Sequence, residues 1–363
     1  MKRYVFFVLT SVFLFFSCSE TNQSDLPEIP VDIDLNNPLP LSEIAEEITA
    51  IELELTDESM INPDMINRVI ISGNNIVVGE TNKILVFNKD GKFIRSIGSR
   101  GQGPGEYIWI SALAIDERNN HLLVISGSKI ICYDLTGKFL RETFVPSFQS
   151  YDINNFNEEL LTVGNKVTGD DRGNLMSSNL YRLNSDLLIL DSLVIRNNYF
   201  EGGMSLVMSN DCIFKGGSSI YLYYSEVYYQ KNTPAEVVLR DTLYRYEKNE
   251  LVPELKLKFK NDGIRNGNKF INLIYIYKSS RYVFSHYHID FFKDKYYFCY
   301  DTKTGKSYNM QDGYTDDING IDKPVTIRPF NHDTEMFYYL HTHMKPGDLE
   351  EPNPTLYLGK LKK

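Results

Sequence analysis

Two stretches of sequence decide the fold: KILVFNKDGKFIR at residues 83–95 and KIICYDLTGKFLR at residues 129–141. Lys, Ile, Gly, Lys, Phe and Arg recur in register between them, at an offset of 46 residues. Each stretch contains an apolar run, a short turn around Gly91 or Gly137, and a second run, which predicts a β-hairpin. The repeat therefore indicates a fold built from similar antiparallel units.

Weaker copies of this hairpin follow along the chain, and further strand pairs lie beside the first two copies. The weaker copies are NLYRLNSDLLIL at 179–190, TLYRYEKNELVPEL at 242–255 and YYFCYDTKTGKSYNM at 296–310. The additional strands are Ile66–Ser72, Ile76–Thr81, Ala112–Asp116 and His121–Ser126. A repeating unit of four short strands and about 40–60 residues is typical of an all-β propeller. At about 50 residues a blade, the chain predicts a six-bladed β-propeller of four-stranded blades, with seven blades as the alternative.

Both ends of the propeller region carry a strand pattern. Ile48–Leu55 alternates apolar and polar residues, and Thr355–Leu361 is a second strand near the C-terminus. We expect these two strands to share one blade and so to close the ring. Before the first of them, Leu41–Glu47 predicts a helical turn with Ser42 as its cap.

The N-terminus carries an export signal. Lys2 and Arg3 precede a mostly apolar run at residues 4–16, which is shorter than the roughly 20 residues that span a bilayer. Cys18 follows a small residue, as in a bacterial lipobox, although Phe15 occupies the position where Leu is usual.

This signal divides the chain. We predict a lipoprotein signal peptide at 1–17, the lipidated Cys18 with a tether at 18–40, and a single propeller domain at 41–363. The expected location is the outer membrane, with the protein facing either the periplasm or the cell surface. The alternative is a cleaved export signal followed by a chance cysteine, which leaves a soluble exported protein.

The composition is that of a globular protein. Of its 363 residues, 42% are hydrophobic and 24% are charged, which excludes a disordered chain. The net charge of −10 argues against a nucleic-acid partner, which requires a basic surface. Three cysteines follow Cys18, namely Cys132, Cys212 and Cys299. Their number is odd and they show no CxxC spacing, so we expect buried free thiols.

Three stretches carry a family resemblance. They are LSEIAEEITAIELELTDES at 41–59, IGSRGQGPGEY at 97–107 and EEPNPTLYLGKLKK at 350–363. Together they resemble the six-bladed β-propeller lipoproteins of Bacteroidetes-type bacteria, which are NHL/TolB-like propellers. The resemblance implies a propeller fold and an export route, and it brings no common activity and no catalytic residues.

The glycine-rich loop at residues 98–105 invites comparison with a phosphate-binding loop. Such a loop needs Gly-Lys-Ser/Thr at the start of a helix, whereas Pro104 and Glu106 precede a strand in this chain. We interpret the loop as a turn between two blades.

Two histidine pairs are candidates for a metal site. His286 and His288 are two residues apart, as are His341 and His343, and residues at that spacing share one face of a strand. Sugar-lactonase-like six-bladed propellers hold a metal in their channel. His286, His288 and Asp290 are therefore the candidate ligands, and no motif indicates another cofactor. The alternative is that the histidines lie on the rims of separate strands.

A run of tyrosines at residues 218–230 is a candidate binding surface. Tyr221, Tyr223 and Tyr224 belong to it, and Trp109 is a further candidate. Aromatic rings of this kind stack on sugar rings or peptide side chains when they are exposed. The alternative is that they pack between the blades.

These observations predict an envelope propeller that binds an unidentified protein or glycan through the loops and channel mouth of one face. Its contact with the membrane is the lipid on Cys18. The alternative is a metal-assisted hydrolase or lyase with its site in the channel, which requires the histidine pairs to converge.

Overall fold

The computed structural model describes residues 26–144, 148–156, 159–170, 173–200, 204–207, 209, 211–230, 233–236, 240–260, 271–289, 293–344 and 351–363. Six mainly antiparallel sheets form a ring, so the predicted six-bladed β-propeller is confirmed. We number the blades 1 to 6 by the chain order of their innermost strands.

Blades 1, 2, 3 and 5 each contain four consecutive strands, which follow one another from the centre of the ring outward. Blade 1 comprises Ile66–Ser72, Asn75–Glu80, Ile84–Asn88 and Phe93–Ser96. Blade 2 comprises Ala112–Asp116, His121–Ser126, Lys129–Asp134 and Phe139–Phe144. Blade 3 comprises Phe148–Phe156, Glu159–Asp170, Gly173–Leu183 and Ile189–Phe200. Blade 5 comprises Ile271–Lys278, Tyr282–Ile289, Asp294–Asp301 and Ser307–Gln311.

Blades 4 and 6 each include a strand from the N-terminal region. Blade 6 comprises Arg328–Phe330, Asp333–His341, Thr355–Leu361 and Ala45–Glu52. Its last two strands pair antiparallel, so the two ends of the chain close the ring as predicted. Blade 4 comprises Ile213–Gly216, Ser219–Leu222, Thr242–Glu247, Glu250–Phe259 and, on its outer edge, Glu28–Val31.

Short elements lie outside the blades. The helical ones are the α-helix Leu41–Ile44 and the 3₁₀ turn Pro63–Met65. The remaining strands form small sheets, which are Ser99–Arg100 with Glu106–Tyr107, Tyr314–Asp316 with Ile321–Val325, and Met204–Val207 with Glu226–Gln230 and Thr233–Glu236. Neither helical element in the described chain has the length or apolar character of a membrane span.

The repeated hairpins share one turn chemistry. The Asn88 Oδ1 atom accepts hydrogen bonds from the backbone N–H groups two and four residues later, both at 2.9 Å. Asp134 Oδ1 does the same at 2.9 Å in blade 2, and Asn184 Oδ1 does so at 3.0 and 2.9 Å in blade 3. The residue three places after each adopts positive φ, namely Gly91 at 80°, Gly137 at 93° and Leu187 at 65°. A short Asn or Asp side chain that holds the turn explains how the hairpin persists while the rest of the repeat diverges.

Apolar side chains fill the spaces between neighbouring blades. Val86 of blade 1 and Ile131 of blade 2 belong to one buried cluster. Leu356 of blade 6 and Val78 of blade 1 belong to another, so apolar packing as well as strand pairing closes the ring. The expected buried free thiols are confirmed, and they are Cys132, Cys212 and Cys299.

The folded region begins earlier than the predicted boundary at residue 41. Glu28–Val31 pairs in parallel with the outer strand of blade 4. Val31 and Leu39 are fully buried in the core shared by blades 4, 5 and 6. Residues 28–40 were predicted as part of the tether, and the structure instead packs them against the propeller, because their apolar side chains cover the edges of two blades.

Two local predictions next to this segment also need correction. The helix at Leu41–Ile44 has only four residues, and no side chain caps it. Ser42 instead donates its hydroxyl to Asp317 Oδ2 at 2.5 Å. The following strand is Ala45–Glu52 rather than Ile48–Leu55, because it pairs with the C-terminal strand from Ala45 onward.

Candidate functional site

A cavity of about 340 Å³ opens at one mouth of the propeller channel. It lies where the inner strands of blades 1, 2, 3, 4 and 6 end and their first turns begin. Its walls consist of Arg68, Val69, Ile70, Ile71, Leu113, Ala114, Ile115, Glu117, Asn154, Asn155, Phe156, Lys215, Gly217, Asn331, His332 and Asp333. Five blades thus contribute side chains to one concave site, which is the usual form of a small-ligand pocket.

Blade 5 contributes none of these walls because its inner strand is covered at this end. The Thr334 hydroxyl of blade 6 donates a hydrogen bond to the Lys278 carbonyl of blade 5 at 2.7 Å. A Cβ atom at Gly216 of blade 4 would lie 2.2 Å from the same carbonyl oxygen. Glycine is therefore required where blades 4, 5 and 6 meet beside the cavity.

A buried arginine forms the floor of the cavity. Arg68 Nη2 lies 2.7 Å from Asp152 Oδ1 of blade 3 and 2.5 Å from Asp211 Oδ1, which precedes the inner strand of blade 4. Its Nη1 atom donates to the Leu113 carbonyl of blade 2 at 2.7 Å. One guanidinium therefore connects four blades, which is the fixed, multidentate role that arginine fills better than lysine.

Asp152 is held by backbone donors as well as by Arg68. Its Oδ2 atom accepts hydrogen bonds from the backbone N–H groups of Cys212 at 2.7 Å and Ile213 at 2.8 Å. Burial raises the pKa of Asp152 to about 6, and the charge of Arg68 opposes that rise. A carboxylate with this many donors needs its cation, because an unpaired buried charge is costly.

The cavity wall above this floor is polar. Asn154 donates to the Ile213 carbonyl at 3.0 Å, and Asn331 donates to the same carbonyl at 3.0 Å. Charged side chains line the cavity together with His332, namely Glu117, Lys215 and Asp333, and the charges of all three act on its imidazole. Burial lowers the pKa of His332, so its imidazole is neutral at neutral pH. The wall therefore presents both donors and acceptors.

The structure brings the first predicted histidine pair together within one blade. His286 Nε2 and His288 Nε2 lie 3.0 Å apart on the second strand of blade 5. The ring of His286 stacks on Tyr297, with centroids 4.4 Å apart. Burial is the main cause that lowers the pKa of His286 to about 3 and that of His288 to about 4.

The second histidine pair lies on blade 6, apart from the first. His341 and His343 have ring centroids 4.6 Å apart, and His343 Nε2 lies 2.6 Å from the Tyr357 hydroxyl. Within the described residues, no three or more His, Cys, Asp or Glu side chains come together as metal ligands would. Asp290, the third predicted ligand, lies outside the described residues. The described histidines thus provide two imidazoles of a metal site and no third ligand.

The three predicted binding tyrosines do not form an exposed surface. Tyr221, Tyr223 and Tyr224 are all buried. Tyr221 packs on Phe214, and the Tyr224 hydroxyl donates to Asn165 Oδ1 at 2.7 Å. They pack between blades because their large rings fill the space that two twisted sheets leave.

Trp109 is the exposed member of the predicted set, and Cys18 lies outside the described residues. The Trp109 side chain is 44% exposed. It precedes the inner strand Ala112–Asp116 of blade 2, whose other end borders the cavity. Trp109 therefore lies on the opposite face of the propeller, beside the turn at Gly127 between the second and third strands of blade 2.

The glycine-rich loop at 98–105 is a turn between blades 1 and 2, as expected. Ser99–Arg100 pairs in parallel with Glu106–Tyr107 across it. The Glu106 carboxylate accepts a hydrogen bond from the Gly103 N–H at 2.8 Å. This loop N–H group already donates its hydrogen bond to a carboxylate, which disfavours a phosphate there.

Sequence reasoning missed the floor and wall of the cavity. Arg68 interrupts the apolar strand INRVIIS, and a charge within a buried strand needs a partner. The charge of Arg68 in this strand was therefore a signal in the sequence that pointed to a buried ion pair. Its partners Asp152 and Asp211 are 84 and 143 residues away along the chain, so no local pattern indicates them.

Comparisons with known proteins agree with this fold. Among solved structures, the chain is similar to that of a "Putative exported protein" from Bacteroides fragilis, with 20% identity and a TM-score of 0.64 over 93% of this chain and 99% of that one. The WD40 domain of Neurospora crassa Pan2 matches 82% of this chain and 76% of its own at 10% identity, but its TM-score of 0.44 supports no argument. No curated protein matches the chain.

A family model covers most of the molecule. The family described as Domain of unknown function (DUF4934) matches residues 26–354, which end just before the strand Thr355–Leu361 of blade 6. The match includes strands of every blade and all the residues of the cavity. It also agrees with the predicted resemblance to bacterial six-bladed propeller proteins. The chain therefore belongs to the DUF4934 family.

Proposed function

We propose that this protein is a lipid-anchored envelope propeller that binds a small molecule in the cavity at the channel mouth. The observation that carries the proposal is the convergence of side chains from five blades on one cavity of about 340 Å³. That volume lies in the range of small-ligand sites. The Arg68 network below the cavity fixes the wall in advance, which lowers the ordering cost of binding.

Export and anchoring are supported by the sequence. The signal at residues 1–17 and Cys18 have the spacing of a lipoprotein precursor. The Bacteroides fragilis structure of similar fold carries a description as an exported protein. Only nine residues separate Cys18 from Glu28, so the Cα atoms of these two residues can be at most about 35 Å apart. A lipid on Cys18 would therefore hold the rim of blade 4 close to the membrane.

The binding proposal is tested with the small molecules of the producing cells. The full chain is incubated with the low-mass fraction of an envelope extract and examined by native mass spectrometry. Ile71→Trp fills the cavity from its wall, and Ser72→Trp is the control at the next position, outside the cavity. We expect a bound mass on the wild type and on Ser72→Trp that is lost in Ile71→Trp. The absence of any bound mass, or its equal retention by Ile71→Trp, would overturn the proposal.

The anchor is tested separately by cell fractionation. The Cys18→Ala variant lacks the residue that is acylated. It should therefore appear in the soluble exported fraction rather than in the membrane fraction. Replacement in Cys132→Ala, a buried thiol of blade 2, serves as the control and should leave the protein in the membrane fraction. If Cys18→Ala stays with the membrane, the lipid anchor is wrong.

A further inference from the structure

The charges around the cavity disfavour an anionic ligand. The floor and wall carry two cationic side chains, Arg68 and Lys215. They carry two carboxylates, Glu117 and Asp333, and two more, Asp152 and Asp211, bind Arg68 without lining the cavity. Counted together, these six side chains have an excess of two negative charges, in a protein whose net charge is −10. A phosphate or carboxylate ligand would enter against this field.

The arginine offers little to a ligand because the protein already uses its donors. The Arg68 guanidinium donates to two carboxylates and to the Leu113 and Ile153 carbonyls. Lys215 forms no ion pair within the described part of the chain, so it supplies a single free ammonium at the opening. One ammonium in a lining that also contains Glu117 and Asp333 suits a hydrogen bond to a neutral group better than the capture of an anion.

One amide in the wall lacks a partner. Asn155 Oδ1 is buried and accepts no hydrogen bond from any described residue. A buried amide oxygen in this state is unfavourable, because it has lost its hydrogen bonds to water and gained none in return. The neighbouring Asn154 and Asn331 are instead engaged with the Ile213 carbonyl. Asn155 also lines the cavity, so a rotation of its amide would bring this oxygen to a ligand there.

The remaining polar groups alternate between donors and acceptors. Neutral His332 has one ring nitrogen of each kind, Lys215 donates, and Glu117 and Asp333 accept. A hydroxyl group both donates and accepts, so it pairs with each of these groups and with either orientation of the Asn155 amide. Between the polar groups, Ile71 and Ala114 present apolar surface that suits the C–H faces of a ring.

We infer that the ligand of this cavity is an uncharged, hydroxyl-rich molecule of the saccharide class. The inference rests on the proposed function, that this cavity is a binding site, and it adds the chemistry of the ligand. The volume of about 340 Å³ suits one or two sugar rings rather than a long chain.

The test compares matched sugars that differ in charge. Glucose, N-acetylglucosamine, cellobiose and maltose are titrated into the full chain by calorimetry, with glucuronate as the anionic probe and glucosamine as the cationic one. We expect at least one neutral sugar to bind, at least tenfold more tightly than glucuronate. Asn155→Ala should weaken the binding of that sugar at least tenfold. The exposed control Asn174→Ala should leave its affinity unchanged. The double variant Glu117→Gln with Asp333→Asn should reduce the difference in affinity between the neutral sugar and glucuronate.

The outcomes separate the two claims. If glucuronate or glucosamine binds more tightly than every neutral sugar, and Ile71→Trp abolishes that binding, the ligand class is wrong and the cavity is still a binding site. If a neutral sugar binds equally well to Ile71→Trp and Asn155→Ala, it binds elsewhere and the inference fails. If no probe binds while the wild type retains a cell-derived mass that Ile71→Trp loses, the saccharide class fails and the proposed function stands.

Discussion

Arg68 and Asp152 form an ion pair, with 2.7 Å between Nη2 and Oδ1, that joins the inner strands of blades 1 and 3 at the floor of the cavity. Their side chains are 6% and 0% exposed. The pair therefore lies between the apolar blade interfaces and the wall of the cavity. Its geometry couples the shape of the cavity to the stability of the ring.

Removal of the arginine should be strongly destabilising. Arg68→Met leaves Asp152 and Asp211 without their cation, and loss of one partner of a buried pair typically costs about 3–5 kcal/mol. Urea unfolding measures the change in the free energy of unfolding. Lys258→Ala is the control, because its ion pair with Glu28 is exposed and should contribute little to stability. Triple replacement, Arg68→Met with Asp152→Asn and Asp211→Asn, should recover part of the loss, and no recovery would mean that packing rather than stranded charge dominates.

Stability should fall as the pH falls below about 6.5, because of the blade 5 histidines. In the unfolded chain an imidazole binds its proton near pH 6.5, whereas the folded pKa is about 3 for His286 and about 4 for His288. Between these values the unfolded chain binds more protons, so acid favours unfolding. From pH 7 to pH 5 the pair should cost about 3 kcal/mol.

This pH dependence is checked by urea unfolding at both pH values. The double variant His286→Phe with His288→Leu has no imidazole to protonate at this site, and the Phe ring can still stack on Tyr297. Its free energy of unfolding should fall by about 3 kcal/mol less than that of the wild type over the same pH interval. An equal loss in both proteins would show that other groups cause the acid sensitivity.

The N-terminal strand should contribute to the stability of the propeller itself. Val31 is fully buried against blade 4, so Val31→Ala should lower the free energy of unfolding by about 2 kcal/mol. Glu28→Ala, on the same strand but exposed, should change it far less, because its ion pair with Lys258 is open to solvent. Equal, small effects of the two variants would place this strand outside the cooperative fold.

Ring closure in blade 6 depends on a glycine. A Cβ atom at Gly359 would lie 2.1 Å from Cζ of Phe337 on the neighbouring strand. Gly359→Ala should therefore cost about 1–3 kcal/mol in thermal or urea unfolding. Gly169→Ala in blade 3 is the matched control, because the nearest atom to its Cβ would be 3.6 Å away. Phe337→Leu should partly rescue Gly359→Ala if the clash is the cause, and a failure to rescue would indicate a backbone effect.

The repeats in the sequence were sufficient to predict the propeller, because strand and turn preferences act over a few residues. Asn88 and Asp134 hold their turns through backbone groups two and four residues away. The same locality explains the prediction of the C-terminal strand, Thr355–Leu361. The segment at 28–40 was predicted wrongly, because its short apolar stretches reveal their burial only when the edge of blade 4 is present.

The sequence predicted only part of the arrangement of the candidate site residues. The i, i+2 spacing correctly placed His286 and His288 on one face, since a strand fixes that geometry locally. The sequence could not decide whether Tyr221, Tyr223 and Tyr224 are exposed, because a tyrosine on a strand faces either solvent or the next blade. Only the position of the neighbouring sheet decides between them.

The sequence by itself determined the strands, their turns and the order of the blades, because each depends on contacts between residues close in the chain. Only the tertiary structure decided where the channel mouth lies and which side chains meet there. Arg68, Asp152 and Asp211 come from three different blades, and Asn155 and Lys215 face one cavity only after the ring has closed. Their convergence depends on the angle at which each blade packs on the next, a property of the whole ring that no short stretch of sequence encodes.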